Sequence, residues 1–182
     1  VGLRDGEFVT SGLRVDSDVR QDPLLFEIED VAAGVKKLRT QHPDNQLIEH
    51  LQNCALEYHC RAAQNYFLHR HEAPMPAAPT CNAVCVGCIS FQRQGGDDQY
   101  LAAHDRIPFA PTPDDLTEVA LGHIDRVGQD AVVSFGQGCE GEPLMQSANL
   151  LETVRRIRKV TDVGIVNLNS NASRPLQLKG LF

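Results

Sequence analysis

The sequence lacks any long hydrophobic run. No apolar stretch approaches the ~20 residues that cross a bilayer, and the first residues do not pair basic charge with an apolar segment as a secretion signal does. We therefore expect no membrane partner. An excess of basic charge is also missing, because the net charge is −7 at pH 7. The chain thus lacks the electrostatic footprint of a nucleic-acid-binding protein, and nucleic acid is not an expected partner.

The six cysteines show no pattern of disulfide pairs. An unpaired pattern favours a reducing, cytoplasmic setting over a secreted one. What the sequence does contain is enough apolar material for a core, since 42% of its 182 residues are hydrophobic. This length predicts one domain with room for an appendage.

Three cysteines, Cys81, Cys85 and Cys88, lie within eight residues with the spacing C-x3-C-x2-C. Thiolates this close together can be directed at one soft metal centre. They are one fewer than the four ligands of an iron–sulfur cubane, so the trio indicates a [4Fe–4S] cluster with one iron left open. A zinc site completed by Cys139 or by a histidine is the alternative that the same spacing allows.

Alternating strand and helix patterns follow these cysteines. Residues 131–135 and 164–168 are short apolar runs typical of buried parallel strands, and helical periodicity covers residues 149–160. Thr112 directly before Pro113 predicts the N-terminus of another helix. Strands that alternate with helices predict parallel βαβ units.

The residues before the cysteines predict a hairpin and helices. Residues 6–10 and 13–15 alternate apolar and polar side chains around residues 11–12, as the two strands of a β-hairpin do. Apolar residues recur at helical spacing over residues 28–38, and Asp44 is the expected N-cap of the next helix.

Three prolines, Pro74, Pro76 and Pro79, lie where a first strand of the parallel sheet is expected. Proline has no N–H to donate to a neighbouring strand. The first strand is therefore predicted to be short and at the sheet edge, or to be replaced by an extended segment.

The other cysteines have mainly structural interpretations. Cys54 falls on the apolar stripe of its predicted helix and is expected in the core, with a ligand role beside Cys60 as the alternative. Cys139 is interpreted as a small filler, and a hydrogen donor or a fourth metal ligand are its alternatives.

The spacing of Cys81, Cys85 and Cys88 resembles the cluster motif of the radical S-adenosylmethionine (radical SAM) superfamily. Residues 134–143 end a predicted strand and resemble its Gly-Gly-Glu-Pro segment, with Glu-Gly-Glu-Pro at the last four positions. Residues 167–171, Asn-Leu-Asn-Ser-Asn, resemble its third-strand polar motif. The three segments occur in the order and at the spacing found in the superfamily. Residues 79–90 and 134–143 resemble more closely one branch of it that carries an N-terminal extension.

The resemblance implies a radical SAM enzyme. Cys81, Cys85 and Cys88 would hold three irons of a [4Fe–4S] cluster, and S-adenosylmethionine would chelate the fourth. An electron from a donor such as a flavodoxin or ferredoxin would cleave this cofactor to methionine and a 5′-deoxyadenosyl radical. The radical would abstract hydrogen from a substrate that the sequence does not identify.

The resemblance also implies which residues surround S-adenosylmethionine. Glycines let the backbone approach the ligand, and Glu142, or else Glu140, would accept a hydrogen bond from its amino group. Amide and hydroxyl side chains after the next strand would bond its ribose or carboxylate. The expected cofactor-binding residues are Gly138, Glu140, Gly141, Glu142, Asn169, Ser170 and Asn171.

The expected fold class is α/β. Residues 74–182 would form the first half of a radical SAM-type (β/α) barrel, with about three β/α units, and residues 1–73 a mainly helical N-terminal extension. Because the chain begins with Val1 and ends at Phe182 after a strand, we expect a fragment that is itself inactive.

A non-enzymatic module is the competing interpretation. In it, a three-cysteine zinc or iron–sulfur site ties together a small α/β domain. A degenerate remnant that keeps the motif without activity is a third.

Overall fold

The computed structural model describes residues 1–13, 15, 22, 25–92 and 102–181. Within these ranges the chain is mixed α/β, with six α-helices, a two-stranded sheet and a three-stranded parallel sheet. In chain order the elements are β1 (Gly2–Arg4), β2 (Glu7–Val9), α1 (Ile28–Gln41), α2 (Gln46–Leu56), α3 (Arg61–Phe67), β3 (Glu72–Pro74), α4 (Pro113–Val127), β4 (Val132–Phe135), α5 (Ser147–Val160), β5 (Ile165–Leu168) and α6 (Pro175–Leu178).

The N-terminal hairpin forms one turn earlier than the sequence pattern predicts. β2 pairs antiparallel with β1, the strand before it, and not with residues 13–15, of which Arg14 lies outside the described residues. The turn consists of Asp5 and Gly6, with φ values of 53° and 85°. Two consecutive positive φ values give a two-residue turn whose twist matches that of the strands, which is why Asp-Gly decides the pairing.

Helices α1, α2 and α3 pack together before the parallel sheet. Asn45, and not the expected Asp44, is the N-cap of α2: its Oδ1 accepts from the backbone N of Ile48 at 3.0 Å. The amide also donates to Glu118 Oε2 of α4 at 2.7 Å, a bond that an aspartate could not form. The cap therefore joins two helices as well as starting one.

The parallel sheet has the order β3-β4-β5, with Ala73 opposite Val133 and Val133 opposite Val166. The predicted short edge strand is confirmed, because β3 has three residues and lies at one side of the sheet. Helices α4 and α5 connect successive strands, so the predicted βαβ order is also confirmed. Thr112 caps α4 in a reciprocal capping box with Asp115.

One hydrophobic core joins the residues before and after position 73. Leu51 of α2, Leu116 of α4 and Val133 of β4 are all fully buried in it. Helix α2 packs on α3 and α4, and these two helices contact β3 and β4, so the core connects the N-terminal helices to the sheet. In the part of the chain that the model describes, every helix is too short or too polar to cross a lipid bilayer.

Candidate metal and cofactor site

The segments that follow β3, β4 and β5 meet at one edge of the parallel sheet. Parallel strands that are neighbours place their carboxyl ends side by side. The cysteine loop (residues 79–90) follows β3, the glycine-rich turn (residues 136–143) follows β4, and the asparagine turn (residues 169–173) follows β5. Contacts between these three segments define the candidate site.

Glu142 joins the glycine-rich turn to the asparagine turn. Its Oε1 accepts from Ser170 Oγ at 2.6 Å, and its Oε2 accepts from the backbone N of Asn171 at 2.8 Å. It also caps its own turn, since Oε1 accepts from the backbone N of Leu144 at 3.1 Å. The carboxylate is buried, with 3% of the residue exposed. Three of the predicted cofactor-binding residues are therefore in direct contact.

The cysteine loop is bound to both turns. The backbone N of Gly141 donates to Ala78 O at 2.6 Å, and that of Glu142 donates to Thr80 O at 2.9 Å, directly before Cys81. On the other side, Asn171 Nδ2 donates to Asn82 Oδ1 at 2.9 Å. These bonds hold the start of the cysteine loop against the predicted ligand-binding turns.

The glycines of the β4 turn allow close contact between protein segments. A Cβ at Gly141 would lie 2.0 Å from the carbonyl oxygen of Thr80, and one at Gly138 would lie 2.2 Å from Ile89 Cδ1. Both contacts are to the cysteine loop. At Gly141 the contact is to backbone, which only a residue without a Cβ permits, whereas at Gly138 it is to the end of a side chain. Gly141 therefore decides how closely the loop packs on the turn.

The side chains of Asn169 and Glu140 both form hydrogen bonds to the backbone of the protein. Asn169 Nδ2 donates to Phe135 O at 3.4 Å. Glu140 accepts four backbone N–H groups: Oε2 from Ala77 and Ala78 at 2.8 and 3.1 Å, and Oε1 from Gly136 and Gln137 at 2.5 and 3.0 Å. Burial raises the pKa of Glu140 to about 7, against the opposing effect of these four donors. In this structure the Glu140 carboxylate holds backbone segments together.

All three cysteines of the loop are free thiols, and their surroundings differ. Cys85 is exposed, whereas Cys81 Sγ accepts from the backbone N of Ala83 at 3.4 Å. Among the described residues, their three Sγ atoms do not all lie within 4.8 Å of one another. Sulfurs on one tetrahedral zinc lie about 3.8 Å apart, given Zn–S bonds of about 2.3 Å. A cubane binds its thiolates through separate irons and so requires a wider spacing.

Cys88 has the most polar environment of the three. Its Sγ lies 3.7 Å from Ser90 Oγ and accepts from Arg106 Nη2 at 3.5 Å. Partial burial alone would raise the pKa of the Cys88 thiol, but hydrogen bonds from Ser90, from the backbone of Phe91 and from Arg106 outweigh it and lower the pKa. These donors favour the thiolate, the form that binds metals.

Arg106 is a residue of the site that sequence reasoning missed. It reaches Cys88 and Ser90, and its guanidinium lies 5.3 Å from the Phe91 ring centroid. With Thr80, Cys81 and Phe91 it lines a cavity of about 550 Å³ beside the cysteine loop. No periodicity or motif marks this arginine, because it follows the cysteines at a distance and lies outside any helix or strand.

A second group of ligand-type side chains lies beside the first. One atom each from His50, Cys54 and Cys139 lie within 4.8 Å of one another, and His50 Nε2 is 3.5 Å from Cys54 Sγ. A hydrogen bond with Cys54 and then burial raise the pKa of the Cys139 thiol well above its ordinary value. The sequence signal that points to His50 is its position four residues before Cys54 on one helix face.

Comparison with known proteins adds no further assignment. No protein-family model, no curated protein and no solved structure matches this chain.

Proposed function

We propose that this chain is the cluster-binding part of a radical SAM enzyme, whose substrate is not specified. In this proposal Cys81, Cys85 and Cys88 hold three irons of a [4Fe–4S] cluster, and S-adenosylmethionine binds at the fourth. The observation that supports it is the contact of the cysteine loop with the two turns after β4 and β5, through Gly141, Glu142 and Asn171. The three segments that resemble superfamily motifs thus lie together at one sheet edge.

The donor set fits such a cluster. Three free thiols lie in one short loop, Cys85 is open to an incoming cluster, and the environment of Cys88 favours its thiolate. When bound, a [4Fe–4S] cluster supplies the electron that cleaves S-adenosylmethionine to methionine and a 5′-deoxyadenosyl radical.

The chain's own residues position and shield this chemistry. Glu142 keeps the two turns together through Ser170 and Asn171, and its Oε2, which accepts one of these bonds, has a lone pair left for an ammonium group of the ligand. Arg106 places a positive charge beside Cys88 and so favours a bound thiolate. The cavity beside the loop provides the space next to these groups.

The partial barrel belongs to the same proposal. Strands β3, β4 and β5 would be the first three strands of a larger (β/α) barrel, with the site at their carboxyl ends as in other β/α barrels. S-adenosylmethionine, a substrate and an electron donor such as a flavodoxin or ferredoxin would be the partners.

Anaerobic reconstitution of the chain with iron and sulfide tests the proposal. We expect about four irons and four sulfides per chain, an absorption band that dithionite bleaches, and a change in the electron paramagnetic resonance signal when S-adenosylmethionine is added. Cys60→Ser is the matched control and should retain all three. Zinc that binds through the loop, and is lost in Cys85→Ser, with no iron taken up, would instead identify the non-enzymatic module.

A further inference from the structure

Two secondary-structure elements that are far apart in the sequence bring His50, Cys54 and Cys139 together. His50 and Cys54 lie one helical turn apart on α2, so both face the same direction. Cys139 comes from the glycine-rich turn after β4. Cys54 and Cys139 are 0% and 4% exposed, while His50 is half-buried. The three ligand atoms thus meet at the boundary between the helical layer and the sheet.

We propose that His50, Cys54 and Cys139 bind one zinc ion that is separate from the proposed cluster. One imidazole and two thiols are ligands that zinc prefers. The ligand atoms already lie within 4.8 Å of one another. Because sulfurs bound to one tetrahedral zinc are about 3.8 Å apart, the group has to contract by about 1 Å at most.

The charge balance explains why such a site can be buried. When zinc binds, each thiol gives up its proton, and two thiolates neutralise the two positive charges of the ion. A neutral zinc site avoids the cost of placing an uncompensated charge in the core. Binding should release about two protons per zinc ion near neutral pH, one from each thiol.

The side of the group at His50 is open to solvent. His50 lines a cavity of about 670 Å³ together with Glu49, Asn53 and Asp105. The wall holds the Arg106 guanidinium as well as the two carboxylates, and the cavity gives an ion access to His50, the half-buried member of the group. With three protein ligands, the fourth position of the ion faces this cavity and takes a water molecule.

A disulfide between Cys54 and Cys139 is the other chemistry that two neighbouring thiols allow. It would use two of the three groups and leave the imidazole 3.5 Å from a sulfur without a role. The presence of His50 in the group therefore favours a metal ion.

The test uses a chain that cannot bind metal at the cysteine loop. In the triple variant Cys81→Ser, Cys85→Ser, Cys88→Ser, we expect one equivalent of zinc by elemental analysis. Cobalt substituted for zinc should give thiolate charge-transfer bands and strong tetrahedral visible bands. Calorimetry in two buffers should report about two protons released per ion.

Adding one further substitution identifies the ligands. Cys139→Ser and His50→Gln should each weaken zinc binding at least tenfold, whereas Cys60→Ser should not change it. His50→Gln alters a half-buried position, so circular dichroism should remain that of the parent and separate lost ligation from lost folding. Zinc should raise the melting temperature of the triple variant and leave that of its His50→Gln derivative unchanged.

Three results would overturn the zinc site. They are a triple variant that binds no zinc, zinc binding that is unaffected by Cys139→Ser, and a mass two hydrogens lower that reports a Cys54–Cys139 disulfide in the purified protein. None of them bears on iron uptake by the loop in the unaltered chain, so this inference and the proposed function fail independently.

Discussion

Cysteine occurs in two contrasting settings in this molecule. In the cysteine loop, the three thiols belong to one short segment, and Val86 between them is 97% exposed. In the second group, Cys54 and Cys139 are buried and come from separate elements. The three loop sulfurs do not all lie within 4.8 Å of one another, whereas one ligand atom from each member of the second group does. The proposed cluster and the proposed zinc ion therefore call for different spacings of the same side chain.

The contrast between the exposed loop and the buried thiols suggests how each group would select its metal. An exposed loop can adjust to a large inorganic cluster, because few packing contacts resist a change in its backbone. In the second group the two thiols are held by the core, so it should accept only an ion close to the existing spacing. The predictions that follow test this contrast, from the largest expected effect to the smallest.

The largest expected effect is a difference in iron content between a variant of the cysteine loop and a variant of the second group. Cys85→Ala should abolish assembly of the iron–sulfur cluster, because a cubane held by two thiolates loses the support of its third iron. Cys54→Ala should leave the iron content unchanged, since Cys54 does not belong to the loop. Iron and sulfide analysis after anaerobic reconstitution measures both. Loss of iron in Cys54→Ala would show that the two groups form one site.

Glu140 connects the two cysteine groups. It follows Cys139 in the chain, and its carboxylate accepts from the backbone N–H groups of Ala77 and Ala78, which lead into the cysteine loop. Glu140→Ala leaves four backbone N–H groups without their acceptor and should lower the free energy of unfolding by roughly 3–5 kcal/mol. Urea unfolding followed by circular dichroism measures the change. Glu152→Ala, which removes an exposed pair with Arg156 on α5, is the control and should change it by less than about 0.5 kcal/mol.

Two glycines distinguish the packed base of the cysteine loop from its exposed tip. Gly141→Ala would place a Cβ 2.0 Å from Thr80 O and should cost about 3 kcal/mol by pushing the loop off the turn. Gly87 has no heavy atom within 4 Å of its Cβ position, so Gly87→Ala should be nearly neutral. Urea unfolding measures stability, and iron content measures the site. Equal effects of the two substitutions would contradict the contact between the loop and the turn.

The smallest expected effect is a pH dependence that belongs to neither group. His123 is buried, and its Nε2 donates to His71 O at 3.1 Å, so Nδ1 is the unprotonated nitrogen, which lacks a hydrogen-bond partner among the described residues. Burial lowers the pKa of His123 to about 4, and the nearby charges of Arg126, His69 and His71 act in the same direction. A loss of bound metal in acid would also lower stability, so it must be distinguished from the titration of His123.

The sign of the effect follows from the lowered pKa. Between about pH 6.5 and pH 4 the unfolded chain binds a proton at His123 that the folded chain does not, so stability falls as the pH falls. The loss should be about 2 kcal/mol between about pH 7 and pH 5. Glu140, with its raised pKa, acts with the opposite sign, because its ionisation costs stability as the pH rises.

The difference between the unaltered chain and His123→Gln isolates the histidine, since Glu140 contributes equally to both. Urea unfolding at a series of pH values should show the acid-side slope reduced in His123→Gln. His59→Asn, an exposed position with φ of 51° that asparagine tolerates, should keep the slope. An unchanged slope in His123→Gln would exclude this residue as its origin.

Local signals in the sequence predicted most of the secondary structure. The Thr112-Pro113 start of α4, the strands β4 and β5 and the proline-limited β3 were all expected, because each depends on residues that are neighbours in the chain. The expected burial holds for β4 but is wrong for β5, where Ile165 is 59% exposed. The sequence prediction was wrong where two local signals competed. The hairpin turn forms at Asp5-Gly6, and Asn45 is the N-cap of α2, where its side chain also bonds to α4.

The candidate site was predictable as a set of motifs but not as a set of contacts. The sequence singled out the three cysteines by their spacing, and residues 134–143 and 167–171 by a resemblance in their residues. That Glu140 is occupied by backbone N–H groups, whereas Glu142 faces Ser170 and Asn171, could not be predicted, since the two glutamates stand two residues apart in the same turn. Arg106 carried no motif that would set it apart, and the only signal for His50 was its position four residues before Cys54 on α2.

The amino-acid sequence by itself determined the order of strands and helices and the compact cysteine loop, because both are encoded by neighbouring residues. Only the tertiary structure decided which turns meet that loop and that a histidine and two distant cysteines share a buried position. The physical reason is that α2 packs on α3 and α4, which contact the sheet, and this packing brings Cys139 to a pair of α2 side chains that lies far from it along the chain.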